Sequence, residues 1–223
     1  MGEKSGDQAG GPHQGQPVAS AGVTLENATA AVVMIHGRGA TARSILDLSQ
    51  EFGIEDDIAY VAPQAAGNSW YPNSFLAPLE HNEPKLSSAL RAVTETIEGV
   101  RDAGLDSEQT LLLGFSQGAC LTLEYAVRNP RRYGGVIGFS GGLIGPDGTP
   151  REYDGTLDGV PVFLGCSDTD PHIPVERVHE SSNVFRGLEG DVTERIYEEM
   201  AHTVNDEDMR VATDLIQEVA NNR

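Results

Sequence analysis

Apolar positions along this chain fall into two alternating kinds of segment: short unbroken runs, and longer stretches in which they recur every three or four residues. Ala30 to His36, Ile58 to Ala62, Gln109 to Gly114, Gly135 to Phe139 and Val160 to Leu164 are runs of the length expected for strands buried on both faces. Val192 to Glu198 alternates instead, and predicts one more strand. Between the runs the spacing predicts helices. Thr41 to Phe52 places Ile45, Leu48 and Phe52 on one stripe, with Gly53 to stop it. Pro84 opens the clearest helix, in which Leu86, Leu90, Val93, Ile97 and Val100 recur before Gly104. Gln117 to Arg128, Pro174 to Leu188, and Asp206 to Ala220 follow, the last with Met209, Ala212, Ile216 and Val219 inward.

Strand and helix alternating along most of the chain imply an α/β class fold: a single domain with a mostly parallel sheet and helices on both faces. Residues 1–15, rich in Gly and Gln and without periodicity, read as a flexible N-terminal arm, and residues 16–223 as the domain. In such a sheet ligands sit beyond the carboxyl ends of the strands, so chemistry is to be sought there. Two irregular stretches interrupt the alternation. Gln64 to Glu83 is too long to be a mere connection, and offers Trp70, Tyr71, Phe75, Leu76 and Leu79 either to wall a pocket or to pin the loop. Gly141 to Gly159 is polar and rich in Gly and Pro, with no amphipathic helix, so no separate lid domain is expected.

A chain of 223 residues can bury a substantial core without disulfides or metal. Cys120 and Cys166 lie in apolar stretches without metal or redox spacing, and are expected simply to be buried. No apolar run approaches the roughly 18 residues of a membrane span, and the N-terminus lacks the apolar stretch of a signal peptide, so a cytoplasmic location is expected. The formal charge of −19, from 34 acidic against 15 basic residues with Lys4 and Lys85 the only lysines, changes the picture more. Such a field repels phosphate backbones and anionic membranes, which excludes nucleic-acid binding and charge-driven lipid docking. It also implies self-repulsion relieved by salt, as in a salt-adapted organism, although an acidic mesophilic surface would serve solubility as well.

Candidate chemistry gathers at the predicted strand ends. Gly114-Phe-Ser116-Gln-Gly118 lies between a strand and a helix, the position of a strained turn that thrusts a serine hydroxyl into a cleft. A serine needs a base within reach, and the base needs an orienting acid. Only His172, His179 and His202 follow Ser116; His202 comes after the last strand, where the base belongs, while His179 sits within a helix and His172 reads as a surface residue, with a place on the cleft wall as the alternative. The acid should leave the strand ending near Gly165, where Asp170 heads an Asp-Pro-x-Ile-Pro cassette and Asp168 is the alternative. Oxyanion donors are expected from the amides of Gln117 and Arg38, the latter in His36-Gly-Arg-Gly39, with the Arg38 guanidinium free for a substrate anion or acidic neighbours.

The set His36-Gly-Arg-Gly-Ala40, Pro63-Gln-Ala-Ala-Gly-Asn-Ser-Trp-Tyr-Pro72, Gly114-Phe-Ser-Gln-Gly118, Asp168-Thr-Asp-Pro-His-Ile-Pro174 and Met200-Ala-His202 resembles the phospholipase/carboxylesterase family of alpha/beta hydrolases, from about Val18 onward. The resemblance implies Ser116, Asp170 and His202 as a catalytic triad, Arg38 and Gln117 as the oxyanion hole, and Trp70 and Tyr71 near an acyl pocket. It departs from the family at Arg38, where members commonly carry Leu, and at Ser167, where Gly is usual. The expected activity is cleavage of small soluble carboxylic esters or thioesters through an acyl-serine, without metal or organic cofactor; a homodimer is compatible with it. Alternatives are a lysophospholipase or acyl-protein thioesterase, a lactone hydrolase of the dienelactone type, or a non-catalytic binding protein on the same fold.

Overall fold

The computed structural model describes residues 10–53 and 57–221. Among the described residues, seven strands form one sheet: β1 (Val18–Gly22), β2 (Ala30–Ile35), β3 (Ile58–Pro63), β4 (Thr110–Phe115), β5 (Gly135–Phe139), β6 (Pro161–Ser167) and β7 (Asp191–Tyr197). Their spatial order is β1-β3-β2-β4-β5-β6-β7, with β1 antiparallel to β3 and every other neighbouring pair parallel. The helices are α1 (Ala42–Leu46), α2 (Leu48–Glu51), α3 (Leu79–Asn82), α4 (Lys85–Asp102), α5 (Gln117–Arg128), α6 (Val175–Gly187) and α7 (Asp206–Asn221). No helix among the described residues is long and apolar enough to cross a membrane.

The continuous apolar runs are buried on both faces because alternate residues of each strand point to opposite sides. In β2, Ala31, Val33 and Ile35 join the cluster under α4, α5 and α6, whereas Ala30, Val32 and Met34 join the one under α1 and α7. Helix α5 follows β4 at the centre of the sheet, and all its residues but Arg128 are buried. Its Glu124 is tolerated there because Arg128 and the Ile144 amide each reach one carboxylate oxygen, at 2.7 and 2.9 Å.

Three local features differ from the sequence reading. The helix expected over Thr41 to Phe52 breaks at Asp47 into α1 and α2, but Ile45 and Phe52 remain buried, so the stripe survives the break. Strand β1 is an antiparallel edge whose small residues, Val-Ala-Ser-Ala-Gly, carry no apolar pattern; its backbone is held by pairing with β3 from Val18↔Pro63 to Gly22↔Ala59. Residues 1–9 of the arm lie outside the described residues, and residues 10–15 are not a free arm. His13 is fully buried: its amide donates to Ser88 Oγ at 2.8 Å, its Nδ1 accepts from the Ala66 amide at 3.0 Å, and its Nε2 donates to the Trp70 carbonyl at 2.8 Å. An imidazole with a donor and an acceptor nitrogen satisfies both loop groups at once, which glycine-rich context concealed.

Candidate active site

Ser116 leaves β4 at φ 56°, ψ −120°, a left-handed conformation that turns the chain sharply into α5. The flanking glycines are forced by close backbone approach. A β-carbon on Gly118 would collide with the Ile35 and His36 carbonyls, and one on Gly114 with the Gly118 backbone. The turn is thus packed, backbone on backbone, against the end of β2.

The loop after β7 brings His202 to this serine. Its Nε2 lies 2.8 Å from Ser116 Oγ and its Nδ1 2.7 Å from Asp170 Oδ2. The Asp170 side chain is wholly buried, and its other oxygen accepts from the His172 and Ile173 amides at 2.8 and 3.1 Å. Burial pushes the Asp170 carboxyl up, but the hydrogen bonds from His202 and these amides outweigh it and hold it below its ordinary value. An ionised acceptor keeps the proton on Nδ1 and leaves Nε2 as acceptor for the serine O–H. The Phe115 and His172 rings lie 5.1 and 4.9 Å from the His202 ring and fix its tilt.

Asp168 is not brought to His202. Its Oδ1 accepts from the Glu199 amide at 2.8 Å, latching the loop that carries the histidine. His172 is exposed, yet it lines the cleft, and His179 pairs on the surface with Glu194 at 2.8 Å.

His36, at the end of β2, sets the loop that follows. Its Nε2 accepts from the Ala65 amide at 3.1 Å, so its Nδ1 carries the proton and donates to the Gly37 carbonyl at 2.8 Å. Because the Gly37–Arg38 peptide is trans, holding its carbonyl toward His36 turns the Arg38 N–H the opposite way. The Arg38 guanidinium is anchored by two of its N–H groups, which donate to the Pro72 and Asn73 carbonyls at 2.8 and 2.6 Å.

The Gln117 side chain has a role no motif announced. Its Oε1 accepts from the Trp70 amide and its Nε2 donates to the Tyr71 carbonyl, both at 2.9 Å, so the residue after the serine also clamps the long loop. Trp70 is buried with its Nε1 donating to the His36 carbonyl at 2.8 Å, and it supports the cleft from below rather than lining it. Tyr71 and Phe75 do line it, so the long loop both packs on the core and walls the site. The Gly141 stretch begins buried: the Gly145 amide donates to the Phe75 carbonyl at 2.7 Å, while Arg177 holds the Leu143 and Gly145 carbonyls.

These residues enclose an open cleft of about 530 Å³ with Ser116 and His202 on its floor. Cys120 also lines it, but burial pushes its thiol up to about 12, so it stays protonated and inert; Cys166 is buried and raised likewise. No group of three or more metal-ligating side chains is clustered among the described residues.

A parallel sheet whose central strand ends in a serine turn, with a histidine and a carboxylate delivered in that order of contact from later strands, defines an alpha/beta hydrolase. Residues 23–220 match the family model described as phospholipase/carboxylesterase, and the chain belongs to that family. It is 42% identical to a phospholipase/carboxylesterase from Dyadobacter fermentans, whose crystal structure superposes with a TM-score of 0.87 over 91% of this chain and 96% of that one. The crystal structure of esterase PE8 is 25% identical, with a TM-score of 0.73 over 92% and 98% of the two chains. Acyl-protein thioesterase 1 of Saccharomyces cerevisiae is 27% identical over 208 residues, 82% of this chain and 90% of the relative.

Proposed function

We propose that this hydrolase cleaves carboxylic esters or thioesters of small soluble substrates through an acyl-serine formed on Ser116. The observation that carries the reading is the continuous pair of contacts, Ser116 Oγ to His202 Nε2 at 2.8 Å and His202 Nδ1 to Asp170 Oδ2 at 2.7 Å. As Ser116 Oγ attacks the carbonyl carbon, its proton passes to His202 Nε2, and ionised Asp170 stabilises the imidazolium. The carbonyl oxygen, now negative, is received by the Gln117 amide at the start of α5 and by the Arg38 amide, which His36 has turned outward. His202 then returns the proton to the departing alkoxide or thiolate. Water repeats the sequence on the acyl-serine and restores the free hydroxyl.

Substrate size follows from the walls. Tyr71, Phe75, Phe115 and Ile173 give the cleft an apolar side, and the buried start of the Gly141 stretch is tied down rather than hinged. Each methylene gains about 0.8 kcal/mol only while it can be enclosed, so the benefit ends after a few carbons. We further propose a cytoplasmic location and a homodimer, which would show in light scattering as twice the monomer mass.

A fluorophosphonate probe and p-nitrophenyl esters from acetate to palmitate test the proposal together. Labelling at Ser116 with rapid turnover up to hexanoate is expected. No labelling and no turnover would leave a binding protein, whereas a preference for palmitate, or a jump when substrate forms micelles, would move the function to lipid or acyl-protein substrates.

A further inference from the structure

The cleft has an electrostatic character opposite to that of the chain. Over the whole sequence acidic residues outnumber basic ones 34 to 15, yet among the described residues no Asp or Glu lines the cleft, and its one permanent cation there is Arg38. The adjoining cavity, which shares Gly37, Ala40 and Phe115 with it, carries Glu51 and Asp206. Arg38 is exposed and held in place: two N–H groups are fixed by the Pro72 and Asn73 carbonyls, and the guanidinium stands 6.0 Å from the centre of the Tyr71 ring. Carbonyls and a ring orient the group without cancelling its charge. No carboxylate pairs with it among the described residues. A guanidinium carries five N–H donors, so three remain for a ligand, in a planar array that suits a carboxylate.

The same residue supplies its amide to the proposed oxyanion hole. Its side chain is therefore tethered at the reacting centre, and an anion it binds lies on the substrate itself. From this juxtaposition we infer that the enzyme selects esters bearing a carboxylate close to the scissile bond, with the Arg38 guanidinium as the recognition group; the inference rests on the hydrolase reading above. The carboxylate belongs either to the acyl chain or to the departing alcohol. Fixing the guanidinium before substrate arrives removes most of the ordering cost of a long side chain. The acid-free lining removes the competitor that the rest of the surface would provide.

Two matched pairs test it at about 1 M KCl, where a screening length of about 3 Å removes the chain's long-range repulsion but leaves contact hydrogen bonds. The mono-p-nitrophenyl ester of adipic acid against its methyl p-nitrophenyl diester puts the carboxylate on the acyl side; 4-acetoxybenzoate against its methyl ester puts it on the leaving side. In one pair the carboxylate member is expected to have the higher kcat/KM by about 10- to 100-fold, the range for hydrogen bonds to a charged group. Arg38→Leu brings that ratio to about one, and Arg38→Lys, which keeps the charge but cannot bridge both carbonyls, leaves it in between. If Arg38 only straps the loop, both members of a pair fall together and the ratio does not move. A wild-type ratio near one in both pairs, or an unchanged ratio in Arg38→Leu, overturns the inference; the wild-type and Arg38→Lys ratios decide it even if Arg38→Leu does not fold. Turnover of the neutral esters and fluorophosphonate labelling of Ser116 report separately on the hydrolase reading, which survives such a result.

Discussion

Replacing Asp170 by asparagine exchanges one carboxylate oxygen for an NH₂ group and should remove most of the activity, for a reason set by the backbone around it. Oδ1 of Asp170 accepts from the amides of His172 and Ile173, at 2.8 and 3.1 Å. An asparagine in its place must keep its oxygen on those two donors, which turns its NH₂ toward His202 Nδ1, now 2.7 Å from Oδ2. A donor facing Nδ1 forces the imidazole into the other tautomer, with the proton on Nε2, and the lone pair that should receive the Ser116 proton is gone. The expected loss in kcat is about 10⁴-fold at neutral pH, or about 5.4 kcal/mol of transition-state stabilisation. KM and the thermal midpoint should change little, because the asparagine fills the same space. Asp168→Asn is the control: its carboxylate serves the Glu199 amide, which an asparagine oxygen can also accept, so kcat should stay within tenfold. Steady-state kinetics on p-nitrophenyl butyrate with active-site titration reads both. A loss of less than tenfold in Asp170→Asn, or an equal loss in Asp168→Asn, refutes the tautomer argument.

Ser116→Ala and His202→Ala should each lower kcat by at least about 10³, with little more lost in the double variant, because the pair acts as a unit; additive losses would contradict this. Gln117→Leu strands the Trp70 amide and the Tyr71 carbonyl, each costing about 1–3 kcal/mol, so the thermal midpoint should fall by several degrees; an unchanged midpoint would show that the clamp is idle. Burial holds His13 and His36 below their ordinary value, so the unfolded chain binds protons more readily than the folded one below about pH 6.5. Stability should be full above that pH and decline as pH falls through it; a midpoint that is flat or rises from about pH 7.5 to 5 would contradict the sign. The net charge of −19 should make the midpoint climb between about 0.1 and 2 M KCl as repulsion is screened, and a flat or falling profile would leave an ordinary acidic surface.

The interior of this fold was legible because its signals are local. Unbroken apolar runs become two-faced strands, and the periodicity from Leu86 to Val100 becomes the buried side of α4, since strand and helix periods differ and nothing else in those segments competes. Strand β1 was invisible because it is held by backbone pairing with β3, which small residues permit and no side-chain pattern records. Ser116 and His202 could be read from chain order and element ends. The choice between Asp168 and Asp170 rested instead on the Asp-Pro-x-Ile-Pro cassette that Asp170 heads, since chain order puts both carboxylates in one tight loop. The side chain of Gln117 and the ring of His13 escaped for another reason. Each serves backbone groups of a loop distant in sequence, and nothing in the composition of either segment foretells the partner.

The staple formed by His13 bears on how this protein is handled. A truncation starting at Gln16 would follow the boundary that sequence suggests and delete what looks like dispensable leader. It would leave the Ala66 amide and the Trp70 carbonyl without their partner directly beneath the wall of the cleft. The trimmed chain would keep the contact between Ser116 and His202 and lose a support next to Tyr71. An N-terminal truncation that keeps the wall supported therefore has to retain His13.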